Sequence, residues 1–441
     1  MEKETILQSI RENRELLEKR NAEGIEAYRK GNFTLHLPNR EASHVKVKQL
    51  RHAFRLGTTA FMLGSFEAPE KEEKYKQLFA NLFNLAVVPF YWSDLEPEEG
   101  KPRFHRDSVN IYRRPAPDIV LDFCREYHLE PKGHCLVWNH FVPAWLEKYT
   151  QDERRAILER RVREIAEEYA DKIPSFDVVN ESATNYRLGK ESLFPEYDEY
   201  GFLLGGKYLP NNIKIANEAS PAVWENYRTQ GKYMAFRMQL REFLPKKLPI
   251  DEIGIQYHIF ARTEEMAEDR WRDGYLNMKN MLEILDLYEE FDLPMHISEI
   301  TVPGSGRVAE NEEVQAKIVE TLYRTWFATK HMKSIVWWNL VDGYAAYAPI
   351  GSDEGENRYG GGLVRFDMTK KPAYEVLDRL INHEWHTELE STCDDGELTF
   401  RGFFGDYEIT VEDAHGTHTY TVTLTEDAAA VSLESSMEIV R

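Results

Sequence analysis

Short runs of β-forming residues alternate with amphipathic stretches of helical period along most of this chain. The strand candidates lie at 54–61, 85–92, 131–138, 176–181, 213–219, 253–258, 294–300 and 334–342. Repeated βα units predict a parallel sheet covered by helices, and eight of them predict a closed (β/α)₈ TIM barrel of the α/β class. A doubly wound open sheet is the weaker alternative, because no G-x-G-x-x-G follows the first strand.

Two shorter regions flank the predicted barrel. Residues 1–30 have the pattern of one helical segment, and the runs FTLHL and HVKVKQL within 33–55 look like the strands of a hairpin. From about residue 387, the runs ELTFRGFF, DYEITVED and HTYTVTLT alternate with Gly and Asp turns. We therefore predict an N-terminal helix and hairpin at 1–53, the barrel at 54–385, and a small β module at 386–441 that the 33–55 strands can complete.

The charge balance and the cysteines exclude several classes of partner. A formal net charge of -21 argues against nucleic acid and against an anionic membrane surface. The start of the chain lacks the apolar core of a signal peptide, and no uncharged apolar run reaches about 18 residues. The widely spaced Cys124, Cys135 and Cys393 offer neither a disulfide framework nor a C-x-x-C metal pair. The sequence predicts a cytoplasmic protein with no membrane or nucleic-acid partner, whose ligand is neutral.

Most of the predicted strands end on polar or aromatic residues, and barrels of this type build their active sites at those ends. The residues are Trp92, His134 with Trp138, Asn180 with Glu181, Asn217 with Glu218, Gln256 with His258, Glu299, and Trp337 or Trp338 with Asp342. Any one of them could be a strand-end side chain satisfied by a loop backbone. Their recurrence around the barrel favours a functional site.

Two of these residues carry a specific chemistry. DVVNES at 177–182 and MHISEI at 295–300 bring strands four and seven to Glu181 and Glu299, on opposite sides of the barrel mouth. A retaining glycosidase needs two carboxyl groups about 5 to 5.5 Å apart, one as acid and base and the other as nucleophile. We expect the Glu299 charge to raise the pKa of Glu181 and keep it protonated. Glu218 is left as a structural or outer-site residue.

The neighbouring residues suit a sugar ligand. Asn180 can donate to a sugar hydroxyl next to the reacting carbon. Gln256 and His258 point to the same side of their strand, so one of them can orient Glu299. Tryptophans offer flat apolar faces to pyranose rings, although adjacent Trp337 and Trp338 face opposite sides and at least one of them must pack inside.

Taken together and in order, these motifs resemble glycoside hydrolase family 10, the xylanase family of retaining (β/α)₈ enzymes, from about residue 54 to 382. The matching strings are GHCLVW, DVVNES, IGIQYH, HISEIT and VWWNLVD. The resemblance implies that Glu181 is the general acid/base and Glu299 the nucleophile. It also implies substrate-contacting or supporting roles for His134, Trp138, Asn180, Gln256, His258 and Trp338.

The chain departs from the family pattern beside the reacting sugar. Where the family has Glu-Asn and then Lys before the tryptophan of strand two, this chain has Val87, Val88 and Tyr91 before Trp92. Asn139 stands where a histidine follows the strand-three tryptophan. We predict that Tyr91, Trp92 and Asn139 line the substrate site, and that the site for the sugar one unit beyond the cleavage point has lost its polar contacts.

The sequence therefore predicts a retaining, endo-1,4-β-xylanase-like glycoside hydrolase that acts on β-xylosidic linkages without cofactor or metal. Its substrate is an oligosaccharide or polysaccharide, and short or decorated oligosaccharides are favoured over long chains. One alternative is a retaining β-glycosidase for another sugar, and a second is a carbohydrate-binding barrel whose catalysis has decayed. A metal-dependent hydrolase using His134, His258 or His296 with Glu218 is disfavoured, because no H-x-H or H-E-x-x-H spacing supports it.

Overall fold

The computed structural model describes residues 2–39, 42–187, 193–225 and 232–434. It begins with three helices and two strands: α1 (Glu2–Ile6), α2 (Gln8–Glu12), α3 (Arg14–Tyr28), β1 (Lys30–His36) and β2 (Ser43–His52). The predicted single helix is thus interrupted. At the second interruption the Asn13 amide donates to the Ser9 carbonyl oxygen at 2.7 Å, and such local bonds compete with regular helix formation.

Eight parallel strands then close into a barrel in which β10 pairs with β3. They are β3 (Arg55–Thr59), β4 (Leu85–Pro89), β5 (Glu130–Val137), β6 (Ser175–Asn180), β7 (Ile213–Glu218), β8 (Glu252–His258), β9 (Met295–Thr301) and β10 (Met332–Trp337). Every residue of β6, β8 and β9 is buried, as expected for strands covered by side chains on both faces. The predicted (β/α)₈ barrel is confirmed, and the open sheet is excluded because the sheet has no edge.

Helices surround the barrel and follow its strands. They are α4 (Pro69–Leu82), α5 (Trp92–Leu95), α6 (Pro117–Tyr127), α7 (Gln151–Tyr169), α8 (Ser182–Arg187), α9 (Tyr197–Tyr208), α10 (Pro221–Trp224), α11 (Ala235–Phe243), α12 (Met278–Tyr288), α13 (Asn311–Ala328) and α14 (Pro372–Arg379). The longest, α7, starts at a capping box in which Thr150 and Glu153 satisfy each other's backbone N–H groups. None of the helices in the described residues has the length and apolar character needed to cross a membrane.

The end of the chain forms a β module with β1 and β2. Its own strands are β11 (Glu388–Cys393), β12 (Glu397–Phe403), β13 (Gly405–Asp413), β14 (Gly416–Leu424) and β15 (Ala430–Ser432). One sheet has the order β12-β1-β15 and the other β11-β2-β13-β14. The predicted hairpin at 33–55 is therefore wrong, because β1 and β2 belong to different sheets. Alternating apolar residues identify a strand and its buried face, but they do not identify its partner.

The β module sits at the end of the barrel where the strands begin. β2 ends at His52, three residues before β3 begins, and the Asn84 amide just before β4 donates to the His52 carbonyl oxygen at 3.1 Å. Trp385 stacks on Phe327 of α13 with ring centroids 4.0 Å apart. The module is thus attached to the face opposite the mouth, where the polar strand ends lie.

Candidate active site

Glu181 and Glu299 meet at the mouth of the barrel. Glu181 is the residue after β6, where it adopts a φ of 55° and donates its N–H to the Asn217 carbonyl oxygen of β7 at 2.8 Å. Left-handed backbone is uncommon for a non-glycine residue, and it persists where the surrounding structure holds it. Glu299 lies within β9, which is buried along its whole length.

A single amide joins the two carboxyl groups. Gln256 Nε2 donates to Glu181 Oε1 at 2.9 Å and to Glu299 Oε1 at 3.0 Å. Two oxygens that share one donor at these distances are no farther apart than about 6 Å. That limit agrees with the separation of about 5 to 5.5 Å used by retaining glycosidases, and it is shorter than the 6.5 to 9.5 Å of inverting ones.

Two further side chains besides Gln256 contact the Glu299 carboxylate. Asn217 Nδ2 donates to Glu299 Oε1 at 3.0 Å, and His258 Nε2 lies 3.2 Å from Glu299 Oε2. Burial, followed by the charge of Glu299, raises the pKa of Glu181 to about 7. Burial also raises the pKa of Glu299 to about 7, against the attraction of His134. Because His134 and Lys132 attract the ionised form of Glu299, while the charge of Glu299 opposes ionisation of Glu181, the shared negative charge belongs on Glu299 and the proton on Glu181.

Beneath Glu299 lies a buried charge network that the sequence analysis missed. Lys132 Nζ donates to Asp177 Oδ2 at 2.6 Å, and His134 Nδ1 lies 2.7 Å from the same oxygen. Nε2 of His134 then lies 3.9 Å from Glu299 Oε1. Although burial opposes ionisation, Lys132 and His134 hold the pKa of Asp177 well below its usual range. Charged residues within two otherwise apolar strands were the available signal, since such residues are seldom buried without partners.

Asn180 is positioned for a ligand. Its Oδ1 accepts from Asn217 Nδ2 at 2.7 Å, while its own Nδ2 is buried with no hydrogen-bond partner in the described structure. A buried donor without a partner costs about 1 to 3 kcal/mol. A sugar hydroxyl bound beside Glu299 can satisfy it.

The two adjacent tryptophans separate as the strand pleat requires. Trp337 is fully buried, and its indole N–H donates to the carbonyl oxygens of Asn339 and Gly361. Trp338 is half-buried and places its ring edge-on to His134 and His258, at 6.0 and 5.7 Å. Trp138 is also half-buried, 6.3 Å from His134. The structure therefore brings Trp338 and Trp138 to the pair and leaves Trp337 in the core.

Three of the predicted substrate-binding residues lie elsewhere or are covered. Trp92 is buried as the first residue of α5 rather than as a strand residue, and its indole donates to Glu96 Oε2 at 3.0 Å, four residues further along the chain. Asn139 is buried and accepts from the Leu193 N–H at 3.0 Å, so it anchors a loop. Tyr91 does face the mouth, 5.4 Å from His134, but other rings cover it.

Glu218 has a structural environment, as the sequence analysis allowed. It accepts hydrogen bonds from the backbone N–H groups of Ala183 and Ala219 and from the Thr184 hydroxyl, all within 2.9 Å. Burial raises its pKa to about 7. Through Ala183 and Thr184, Glu218 holds the start of α8 in place directly after Glu181. The three ligand atoms that converge within the described residues belong instead to His105, Asp118 and Glu168, so the geometry does not support a metal centre built on Glu218.

Similar proteins share this architecture. An endo-1,4-beta-xylanase B of Thermotoga neapolitana is 25% identical over 325 residues, which span 71% of this chain and 84% of that protein. The anti-sigma-I factor RsgI6 of Acetivibrio thermocellus is 26% identical over 407 residues, and the match spans 87% of this chain but only 44% of that protein.

Solved structures show the same fold at low identity. The crystal structure of native xylanase 10B from Thermotoga maritima superimposes with a TM-score of 0.55 at 20% identity, covering 75% of this chain and 96% of that one. An intracellular xylanase of Thermoanaerobacterium saccharolyticum, in complex with xylotetraose, gives a TM-score of 0.57 at 19% identity and covers 74% and 95%.

The family described as glycosyl hydrolase family 10 matches residues 51–378. That range contains all eight barrel strands, both carboxylates and the amide that joins them. Fold, matched length and the arrangement of the mouth agree, and the chain belongs to glycosyl hydrolase family 10.

Proposed function

We propose that this protein is a retaining glycoside hydrolase that cleaves β-1,4-xylosidic linkages in short or decorated xylo-oligosaccharides. The observation that carries the proposal is the bridge from Gln256 to Glu181 and Glu299, because it holds two carboxyl groups at the separation of a double displacement. Xylanase activity is named for relatives at 25% identity and for structures of the same fold, which supports xylose as the sugar.

The two carboxyl groups divide the reaction between them. Glu181 gives its proton to the leaving oxygen while the Glu299 carboxylate attacks the anomeric carbon and forms a glycosyl-enzyme intermediate. Glu181 is then ionised and takes a proton from water, which displaces the sugar from Glu299. Gln256 donates to both groups throughout, so it keeps them aligned as the charge moves from one to the other.

The remaining mouth residues bind the reacting sugar in this proposal. Asn180 donates its free Nδ2 hydrogen to the hydroxyl next to the anomeric carbon, a bond that strengthens as oxocarbenium charge develops. Trp338 and Trp138 offer their half-exposed rings to the pyranose faces. His134 is held by Asp177, so it presents Nε2 toward Glu299 in one fixed orientation.

We place the catalytic function within residues 54–385 and the protein in the cytoplasm. The β module lies at the opposite end of the barrel from Glu181 and Glu299, so it contributes no side chain to the mouth in this proposal. All three cysteines are free and buried, as is usual for reduced compartments. One structural neighbour is described as an intracellular xylanase, which supports the same location.

The first experiment compares aryl β-glycosides of xylose, glucose, galactose and arabinose. We expect the xyloside to have the highest kcat/KM, and a clear preference for another sugar would assign the protein to a different β-glycosidase activity. Binding of xylo-oligosaccharides without any turnover would indicate a decayed, carbohydrate-binding barrel.

The second experiment separates the two carboxyl roles. Glu181→Ala and Glu299→Ala should each remove most turnover, whereas the exposed Glu147→Ala is the matched control and should retain it. Azide should restore turnover of an aryl xyloside to Glu181→Ala as the β-xylosyl azide, since it replaces the water that needs a base, whereas any rescue of Glu299→Ala should give the inverted α-azide. A 2-fluoro xyloside should trap a covalent sugar on Glu299. Near wild-type rates in both variants would contradict the assignment.

A further inference from the structure

The leaving sugars and the attacked sugar lie on opposite sides of the pair. Ala183 and Thr184 come just after Glu181 and line an open cleft of about 330 Å³ with the exposed Tyr233. Because Glu181 must reach the leaving oxygen, the Glu181 side of the pair is the side for the leaving sugars. The attacked sugar then lies over Glu299, toward His134 and the ends of β3, β4 and β5.

On the side of His134 and the ends of β3, β4 and β5, aromatic rings fill the mouth. Tyr91 is 3% exposed and lies 5.4 Å from the His134 ring and 5.7 Å from Trp138. Phe61 is fully buried, edge-on to Tyr91 at 5.8 Å and to Trp338 at 5.6 Å. A sugar needs accessible ring surface to stack on, and these two side chains offer almost none.

Arg114 packs against the side of Tyr91 that faces away from His134. The Arg114 guanidinium lies 4.0 Å from the centroid of the Tyr91 ring, and Arg114 Nε donates to Asp94 Oδ2 at 2.9 Å. Arg114 is itself only 7% exposed. From His134 outward, Tyr91 and Arg114 thus follow in contact, without space for a pyranose between them.

A loop from the far side of β3 completes the barrier. Tyr347, in the segment after β10, is 83% exposed and stacks on Phe141, which follows β5, with ring centroids 6.4 Å apart. Phe141 packs in turn on Tyr91 at 4.7 Å. Segments that follow β4, β5 and β10 therefore meet across the mouth on this side.

Outside the barrier is a separate cleft of about 470 Å³, with Arg114, Asp94 and Tyr347 in its wall. Tyr91 and Arg114 stand between it and Glu299, so a xylan chain bound there cannot continue to the reacting carbon. We propose that the donor side holds a single sugar, and that the enzyme removes one xylose at a time from the non-reducing end. The inference rests on the proposed hydrolase function and adds the direction and step of cleavage.

Two aryl substrates test the inference in the wild-type protein. Direct release of the aryl group from an aryl β-xylobioside needs two donor sugars, whereas an aryl β-xyloside needs one. We expect kcat/KM for direct release to be higher for the xyloside by about tenfold or more, a factor that corresponds to 1.4 kcal/mol. The xylobioside should release its aryl group only after a lag, while the terminal xylose is removed.

Product sizing gives an independent measurement. Xylotetraose labelled at its reducing end should first yield labelled xylotriose and free xylose. Labelled xylobiose or xylose at the initial rate, or a faster direct release from the xylobioside, overturns the inference but leaves the hydrolase assignment intact. Failure to cleave any xyloside or xylo-oligosaccharide would instead reject the proposed function.

A substitution connects the product pattern to the barrier. Tyr91→Ala should open space behind the donor sugar, so that labelled xylobiose appears among the initial products of labelled xylotetraose. Tyr28→Ala, an exposed tyrosine at the end of α3, is the matched control and should leave the pattern unchanged. An unchanged pattern in a folded Tyr91→Ala protein counts against the barrier, and if that variant does not fold, the wild-type measurements decide.

Discussion

His258 faces the Oε2 atom of Glu299 with its Nε2 atom, at 3.2 Å. The other ring nitrogen, Nδ1, lies 2.9 Å from the Thr301 hydroxyl. Burial lowers the pKa of His258 to about 4, so the ring is neutral at pH 7 and carries one N–H. Since an ionised Glu299 can only accept, that hydrogen belongs on Nε2, and Thr301 must donate to Nδ1. Thr301 is thus a positioning residue that fixes the tautomer.

Removing the Thr301 hydroxyl should therefore weaken the support of Glu299. We expect Thr301→Val to lower kcat about tenfold, the equivalent of one hydrogen bond of roughly 1 to 1.5 kcal/mol, and Thr301→Ser to restore it. Thr301→Asp should raise the pKa of His258 and add a new step to the pH profile of kcat/KM. Equal pH profiles for the wild type and Thr301→Asp would show that the hydroxyl has no such role.

The pH dependence should follow Glu181. Because its pKa is raised to about 7, the protonated acid is lost as the pH rises through that value, and kcat/KM for an aryl xyloside with a poor leaving group should fall above it. A dinitrophenyl xyloside needs no proton to depart, so its alkaline limb should flatten if formation of the intermediate limits the rate. An equal alkaline fall in kcat/KM for both substrates would argue against Glu181 as the acid.

The raised pKa also predicts a change in stability. A carboxyl whose folded-state pKa lies above its ordinary value of 4.5 stabilises the fold below that value, and the contribution is lost as the pH rises to about 7. At pH 8 Glu181→Gln should increase the free energy of unfolding by roughly 1 to 3 kcal/mol, and the gain should shrink at pH 5. Chemical unfolding at both pH values, with the exposed Glu147→Gln as control, measures the difference.

The ion pair of Lys132 and Asp177 is almost fully buried, so breaking it should be costly. Lys132→Met removes the ammonium partner of the buried Asp177 carboxylate, leaving it with the His134 ring, and should reduce the free energy of unfolding by about 3 kcal/mol. Lys148→Met removes an exposed partner of Glu99 and should change the free energy of unfolding far less, because water screens the pair. Urea unfolding of the two variants provides the comparison, and equal values would mean that Asp177 is not charged in the fold.

Trp385, the last barrel residue before the β module, stacks on Phe327 of α13, and its carbonyl oxygen contacts His52 of β2. Trp385→Ala should cost about 3 to 5 kcal/mol of stability, as for other fully buried large side chains, while kcat is kept because the mouth is at the opposite end. The exposed Leu50→Ala is the control for loss of an apolar side chain on β2. A large fall in the kcat of the folded Trp385→Ala protein would show that the module affects the mouth.

Periodicity and spacing in the sequence were enough to predict the barrel and the location of Glu181 and Glu299 at two of its strand ends. They succeeded because buried parallel strands are continuous apolar runs, and because a parallel barrel brings all strand ends to one face. The same signals could not show how β1 and β2 pair, since their partners lie more than 300 residues away.

Side-chain directions at the site were not predictable for a similar reason. Tyr91 and Trp92 are adjacent at the start of α5, and only the packing shows that Tyr91 turns to the mouth and Trp92 to the core. Asp177 lies four residues before Glu181, but its contact with His134 crosses from one strand to the next and needs the register of the barrel. Sequence spacing gives residue types at strand ends, whereas side-chain direction and cross-strand contacts depend on the assembled sheet.

The pairing of β1 and β2 with β11, β12 and β13 also sets an order of events during synthesis. β2 ends at His52 and its partners begin at Glu388, so at roughly 5 to 20 residues per second the ribosome needs about 20 to 70 s to deliver them. Throughout that interval two apolar, alternating strands emerge with unpaired edges, while the barrel between them and their partners is being translated. The earliest strands to leave the ribosome are among the last to be completed, which makes them natural binding sites for nascent-chain chaperones.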